Sequence, residues 1–156
     1  MKFFDAATVW SLGFTGAADA ITQALVDGFD PSGDPPREAA DMSSGSILMM
    51  PSEVGDVAGI KVLTLAPDNP QRDLPKIQGH YLLFDAATMT PKAMLDGEAL
   101  TSLRTPALSI AAARPFLRRF ADDAAGGAGP TVAIFGAGPQ GVGCLLYTSD
   151  AADEED

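Results

Sequence analysis

The sequence predicts an α/β protein, and three observations carry that expectation. Short β-type runs, punctuated by Pro, Gly and Asn, crowd the middle of the chain. Stretches of helical period lie on either side of them. Near the end, the apolar run Thr131-Val-Ala-Ile-Phe135 leads into Gly136-Ala-Gly138-Pro-Gln-Gly141. That is the pattern of a strand, a tight turn and a helix start in a dinucleotide-binding βαβ unit. The larger part therefore reads as α+β, with helices and a mixed or antiparallel sheet, and the end reads as the start of a Rossmann domain.

Each element follows from its own residues. Ala17 to Phe29 carries apolar side chains at Ile21, Leu25, Val26 and Phe29, as expected for a helix lying on a core. Asp30-Pro-Ser-Gly-Asp-Pro-Pro36 is a connector whose prolines and glycine oppose regular structure. Strands are expected at Ser46–Met50, Val57–Leu65, Gln78–Asp85 and Lys92–Leu95. Helical period returns from Leu100 to Phe120, with Leu103, Ala107, Ile110, Ala111 and Leu117 on one side. Thr101 or Thr105 is the expected cap. Pro106 suits a first turn after Thr105, whereas Pro115 should kink or end the helix. The domain reading is 1–123 for the α+β part, 124–130 for a linker, 131–143 for the Rossmann start and 144–156 for a tail.

Bulk composition narrows the function classes. The chain has 156 residues and a formal net charge of −11. Five of its acids, Asp150, Asp153, Glu154, Glu155 and Asp156, crowd the C-terminal end. The remainder still carries 10 basic against 16 acidic residues, a poor match for nucleic acid or an anionic membrane. No apolar run approaches the ~18–20 residues of a membrane span, and Asp5 interrupts any signal-peptide core. The expected location is cytoplasmic. One cysteine and one histidine leave no disulfide framework and no zinc cage, so no metal site is expected.

The glycines have defined roles in the expected turn. Gly136 permits the tight turn, Gly138 lets backbone approach a pyrophosphate, and Gly141 allows close helix–strand packing. The diphosphate would sit at the helix N-terminus, where unpaired N–H groups and the dipole favour an anion. Two readings stay open for Lys61, a charge inside the apolar run Gly59-Ile-Lys-Val-Leu-Thr-Leu65. It either points into a cleft, to hold a carboxylate or move a proton, or faces solvent on a half-exposed strand. Arg104, near a helix start, is either a bidentate carboxylate ligand or a surface arginine. Arg37, after two prolines, is a third candidate anion ligand. His80 fits a strand-edge hydrogen bond better than acid–base work. Met49-Met50 reads as packing, and Ser43-Ser-Gly-Ser46 as a loop without the partners of a nucleophile.

Five segments in order extend this reading. They are Gly45-Ser-Ile-Leu-Met-Met-Pro51, Gly59-Ile-Lys-Val-Leu-Thr64, Leu74-Pro-Lys-Ile-Gln-Gly-His-Tyr-Leu-Leu-Phe-Asp85, Leu95-Asp-Gly-Glu-Ala-Leu-Thr-Ser-Leu-Arg-Thr105 and Phe135-Gly-Ala-Gly-Pro-Gln-Gly141. Together they resemble the ornithine cyclodeaminase/mu-crystallin family of nicotinamide-dependent enzymes over about residues 36 to 143. The resemblance implies that Arg37, Lys61 and Arg104 hold the amino-acid carboxylate and line the substrate site. It implies that Pro139 and Gln140, beside Gly136, Gly138 and Gly141, lie next to the phosphates of NAD or NADP. It further implies hydride transfer from the substrate Cα, giving an imine that cyclises with loss of ammonia. Relatives reduce ketimines or pyrroline carboxylates, or serve as small-ligand-binding modules. An amino acid or cyclic imine as substrate and a homodimer as assembly are expected.

Departures from the family pattern are local, apart from the end of the chain. Lys76 stands where the family has a threonine near the cofactor, and Met89-Thr90 replaces a Thr-Gly turn. Cys144-Leu-Leu-Tyr-Thr-Ser-Asp-Ala-Ala-Asp-Glu154 does not resemble the rest of a Rossmann helix. It reads as the in-frame translation of a transposase-type sequencing adapter, a non-native tail on a truncated frame. The family's proton-transferring aspartate and ribose-binding acid have no counterpart here. On that reading the fragment binds no cofactor and has no turnover.

Overall fold

The computed structural model describes residues 1–123 and 132–153, with side chains described for 1–120 and 132–146. The chain divides into two compact units, Met1–Ser11 with Asp27–Thr101, and Leu12–Val26 with Ser102–Asp156. The linker expected at 124–130 lies outside the described residues, as does Thr131.

The first unit is built on a six-stranded sheet in the order β1-β6-β5-β4-β3-β2. Its strands are β1 (Lys2–Phe4), β2 (Glu38–Met42), β3 (Gly45–Val54), β4 (Val57–Leu65), β5 (Ile77–Asp85) and β6 (Pro91–Asp96). From β2 to β6 every neighbour is antiparallel, and β1 closes the edge parallel to β6. The sheet is therefore mixed. Short hairpins explain the meander: β2 and β3 turn through Ser43-Ser44, and β3 and β4 through Gly55-Asp56. The β-type runs and the turn residues between them identify β4 to the residue and β5 to within one. They miss β1, which has three residues, and β2, whose Glu-Ala-Ala-Asp-Met has weak β preference. Both are edge strands that exist through their pairing.

β3 runs past its expected end at Met50 and includes Pro51. The ladder with β2 ends at Met49, so Pro51 has a cross-strand partner only on the β4 side, Ile60. A proline fits where no second ladder needs its N–H. Between β5 and β6, the Asp85 carboxylate accepts hydrogen bonds from the Thr88 N–H at 3.0 Å and its hydroxyl at 2.8 Å. Lys92 Nζ lies 3.1 Å away from the same carboxylate. These contacts, the Thr88 hydroxyl first, hold Asp85 below the ordinary carboxylate range. In the same turn Met89 adopts φ 55°, a conformation that opposes an L side chain.

Helix α1 (Ala6–Trp10) also belongs to this unit, and Asp5 caps it by accepting from the Thr8 N–H at 2.9 Å. Its buried residue is Val9, at 1% exposure.

The second unit contains α2 (Phe14–Val26), all but the first residues of α3 (Gly97–Asp123), and α4 (Pro139–Asp153). α2 begins and ends three residues earlier than expected, stopping before the Asp27-Gly28 turn. Its buried line is Phe14 and Ala18, while Leu25 and Val26 are exposed. Registering the helix on the later apolar residues overlooked this earlier i, i+4 pair.

α3 starts at Gly97, not at Thr101 or Thr105. Asp96 accepts from the Ala99 N–H at 2.8 Å, satisfying a first-turn donor, and Glu98 suits the helix N-terminus. Pro106 and Pro115 both lie inside the helix, which continues to Asp123. Each proline removes one intrahelical bond; packing outweighs that loss at Pro106. Leu103, Pro106, Ala107 and Ile110 are buried at i, i+3, i+4 and i+7, one continuous stripe. Asp19 on α2 accepts from Arg114 on α3 at 2.5 Å. α4 approaches the other two helices closely at Gly143, where a Cβ would overlap Pro106 and lie 3.2 Å from Phe14.

Val132 to Ala137 form no strand. A strand needs a hydrogen-bonded neighbour, and among the described residues none pairs with this segment. α4 runs on through Cys144 to Asp153. Residues 144–153 contain no glycine or proline to stop it.

Candidate functional site

β4 lies between β3 and β5, and Lys61 sits in the middle of its length. Directly paired residues share a face of the sheet. Met50, Lys61, Tyr81 and Leu95 therefore form one cross-strand row, completed by Phe4 on β1. Lys61 is only 8% exposed. No other charged side chain among the described residues is buried to that extent. The solvent-facing reading of Lys61 is thus excluded. Its Nζ lies 5.8 Å from the centroid of the Tyr81 ring.

Arg37 immediately precedes β2, whose first residue, Glu38, pairs with Met49. The ladder stops at that pair, so Arg37 lies just ahead of the strand and outside its register. Arg37 itself is exposed.

Arg104 belongs to the second unit, on α3. Its side chain is half-buried, and its Nε is fully covered with no hydrogen-bond partner among the described residues. Buried donors in folded proteins almost always have acceptors. An uncompensated guanidinium N–H is a donor suited to an added acceptor such as a carboxylate.

The glycine-rich turn is in the same unit as Arg104. Gly136 adopts φ 104°, open to glycine alone without strain. A Cβ on Gly141 would collide with the Gly136 carbonyl oxygen, so these two glycines make the turn close. A Cβ on Gly138 would meet nothing within 4 Å; protein packing places no demand for glycine there. Pro139 opens α4, and the Val142 N–H bonds the Gly138 carbonyl at 3.0 Å. The first-turn amides of Gln140 and Gly141 have no intrahelical acceptor. Such amides at a helix N-terminus suit an anionic diphosphate.

The remaining candidates carry no such geometry. His80 is exposed, with the Phe3 ring edge-on at 6.0 Å between centroids, and it pairs with Asp96 on the face opposite Lys61. No group of three or more His, Cys, Asp or Glu among the described residues could hold a metal ion. None of the described helices is long and apolar enough to cross a membrane. Sequence reasoning missed Tyr81 as a neighbour of Lys61. The β4–β5 connection is too long for turn chemistry to set that register, and only pairing reveals it.

Comparison with known proteins places these features in a family. The sequence pattern of the ornithine cyclodeaminase/mu-crystallin family matches residues 12–152. A Delta(1)-pyrroline-2-carboxylate reductase of Bacillus cereus is 37% identical over 98 residues, covering 62% of this chain and 28% of that protein. The solved Delta(1)-pyrroline-2-carboxylate reductase of Thermococcus litoralis, in complex with NADH and L-proline, superposes with a TM-score of 0.74. It is 26% identical, over 96% of this chain and 46% of that one. An archaeal alanine dehydrogenase dimer with bound NAD gives a TM-score of 0.63 at 27% identity, over 73% of this chain and 36% of that one. The chain thus spans under half the length of these relatives. A mixed sheet carrying a buried lysine, a glycine-rich turn opening a helix, and a match over 12–152 together make this chain a member of the ornithine cyclodeaminase/mu-crystallin family.

Proposed function

We propose that this chain forms the carboxylate-binding part, and the first turn of the cofactor-binding part, of a nicotinamide-dependent oxidoreductase acting on an amino acid or its cyclic imine. The observation that carries the reading is the burial of Lys61 in the middle of the sheet. A buried ammonium attracts anionic groups to its place in the sheet, and an α-carboxylate is an anion of that kind. Arg37, just ahead of β2, and Arg104, with its covered Nε, are assigned to a substrate carboxylate by the family pattern. Lys61 is also the residue assigned to move a proton to or from the substrate nitrogen.

The cofactor assignment rests on Gly136, Gly138, Pro139, Gln140 and Gly141. Their geometry fits a diphosphate, with the Gln140 and Gly141 amides free of helical acceptors and nothing packed over Gly138. When bound, NAD or NADP takes or gives the hydride at the substrate Cα. The chain's own residues fix the carboxylate, so that Cα is held in one place. Because the chain spans under half the length of its relatives, turnover is proposed of a longer protein and carboxylate binding of this chain.

Two directions of reaction share these residues. Oxidation to an imine, then ring closure with loss of ammonia, is the cyclodeaminase direction. Reduction of a cyclic imine is favoured by the pyrroline-carboxylate reductases among the relatives. The other face of the sheet carries Met49, Ile60, Val62, Leu82 and Met94, all half-exposed. We assign it to pairing with a second copy; the archaeal alanine dehydrogenase is a dimer.

The carboxylate reading is tested by titrating the chain with L-proline while following Lys61 and Arg104 side-chain resonances. Both should shift, and Lys61→Met should weaken binding by about tenfold or more, the scale of one charged hydrogen bond. Binding unaffected by Lys61→Met would sink the assignment.

A further inference from the structure

We propose that Tyr81 is a positioning residue whose ring face holds the Lys61 ammonium in place for its anion. The inference rests on the carboxylate reading of Lys61 and adds a part that reading does not contain.

The geometry is a cross-strand one. Lys61 on β4 and Tyr81 on β5 are direct register partners, so their side chains leave the same face of the sheet side by side. The Nζ stands 5.8 Å from the ring centroid, inside the range where the negative face of an aromatic ring attracts a cation. The partner on the other side, Met50, offers a flexible thioether chain and no fixed charge distribution. Lys61 is thus flanked by one adaptable neighbour and one rigid neighbour, and the rigid one faces its charge.

A lysine side chain has four rotatable bonds, and ordering it costs rotamer entropy. An ammonium already held over a ring has lost part of that freedom before a ligand arrives, which strengthens binding. The backbone of β5 is itself held on both sides, by β4 and β6. The ring's place therefore depends on the sheet and not on a loop. The attraction requires the π face and not the phenolic hydroxyl, which makes Tyr81→Phe and Tyr81→Leu a discriminating pair.

The test uses the whole chain and the Lys61 Cε–Hε resonance, identified by its disappearance in Lys61→Met. In the wild-type protein and in Tyr81→Phe this resonance should lie upfield of those of Lys76 and Lys92, displaced by the ring current. In Tyr81→Leu it should move to their position, and L-proline should bind roughly fivefold more weakly, as expected for one such contact. Tyr81→Phe should restore both. Backbone amide shifts establish that the sheet is intact, and Tyr81→Met provides the same comparison if leucine disturbs β5. The proposal is overturned if the Lys61 resonance does not respond to Tyr81→Leu. It is equally overturned if that resonance moves while proline affinity stays unchanged. Should L-proline leave Lys61 unperturbed in the wild-type protein, the carboxylate reading fails, and the loss of a bound anion to position removes the role of Tyr81 even where the ring contact persists.

Discussion

The lysine-bearing sheet and the glycine-rich segment make opposite use of apolar β-type sequence. Val57–Leu65 is flanked on both sides by antiparallel partners and carries a buried cation in its middle. Val132–Ala137 is just as suited to a strand by composition, yet it forms none, and Phe135 is 97% exposed. The turn that follows it is nonetheless formed, with Gly136 at φ 104° and α4 starting at Pro139. Turn and helix start are local conformations, closed by hydrogen bonds a few residues apart. A strand is a relation between two segments, and an apolar run without a partner remains a run.

Leu103 gives the largest expected contrast between paired and unpaired apolar residues. It is 1% exposed within the α3 stripe, and Leu103→Ala should lower unfolding stability by about 2–5 kcal/mol in a urea titration. Val132→Ala, at a residue 47% exposed, should change it by less than ~0.5 kcal/mol. A comparable loss at Val132 would mean that the segment is packed, and would break the comparison. A smaller effect is expected in the sheet turn. Met89 is 60% exposed at φ 55°, so glycine there relieves strain without removing packing. Met89→Gly should raise the thermal midpoint, with a gain of about 1 kcal/mol. A lowered midpoint would show that the methionine side chain holds the turn.

The smallest effect concerns the same turn and depends on pH. Hydrogen bonds from Thr88 and the Lys92 ammonium depress the folded-state value of Asp85. Its contribution is therefore present above the unfolded aspartate value, about 3.9. It is lost as pH falls through the lower folded value. Asp85→Asn should reduce stability at pH 7 and converge with the wild-type protein in acid below that window. Equal differences at both pH values would assign the effect to lost hydrogen bonds and not to charge.

How much was legible differs by element. Val57–Leu65 was readable because a β-type apolar run and the turn residues that bound it act within a few residues. β2 was not, since Glu-Ala-Ala-Asp-Met is held only by its ladder to β3. Pro115 was expected to kink or end α3, yet α3 continues through it to Asp123; the buried stripe of the helix ends before it, at Ile110. The start of α3 was expected at a threonine cap, whereas Asp96, the last residue of β6, caps it. Among candidate site residues, Lys61, Arg104 and the glycines were visible as residue types in telling places, and the family pattern ordered them. The burial of Lys61, the Tyr81 ring beside it and the uncovered need of Arg104 Nε were not visible, since each depends on residues distant in sequence.

By itself the sequence determined the α/β class, the central strands, the glycine turn and the family. These are properties of short-range periodicity, steric demands on glycine, and the order of segments along the chain. Only the tertiary structure decided which charge is buried and what stands beside it. It also decided that the apolar run before Gly136 is not a strand. Burial and pairing join residues far apart in the chain, and no local pattern encodes which of them will meet.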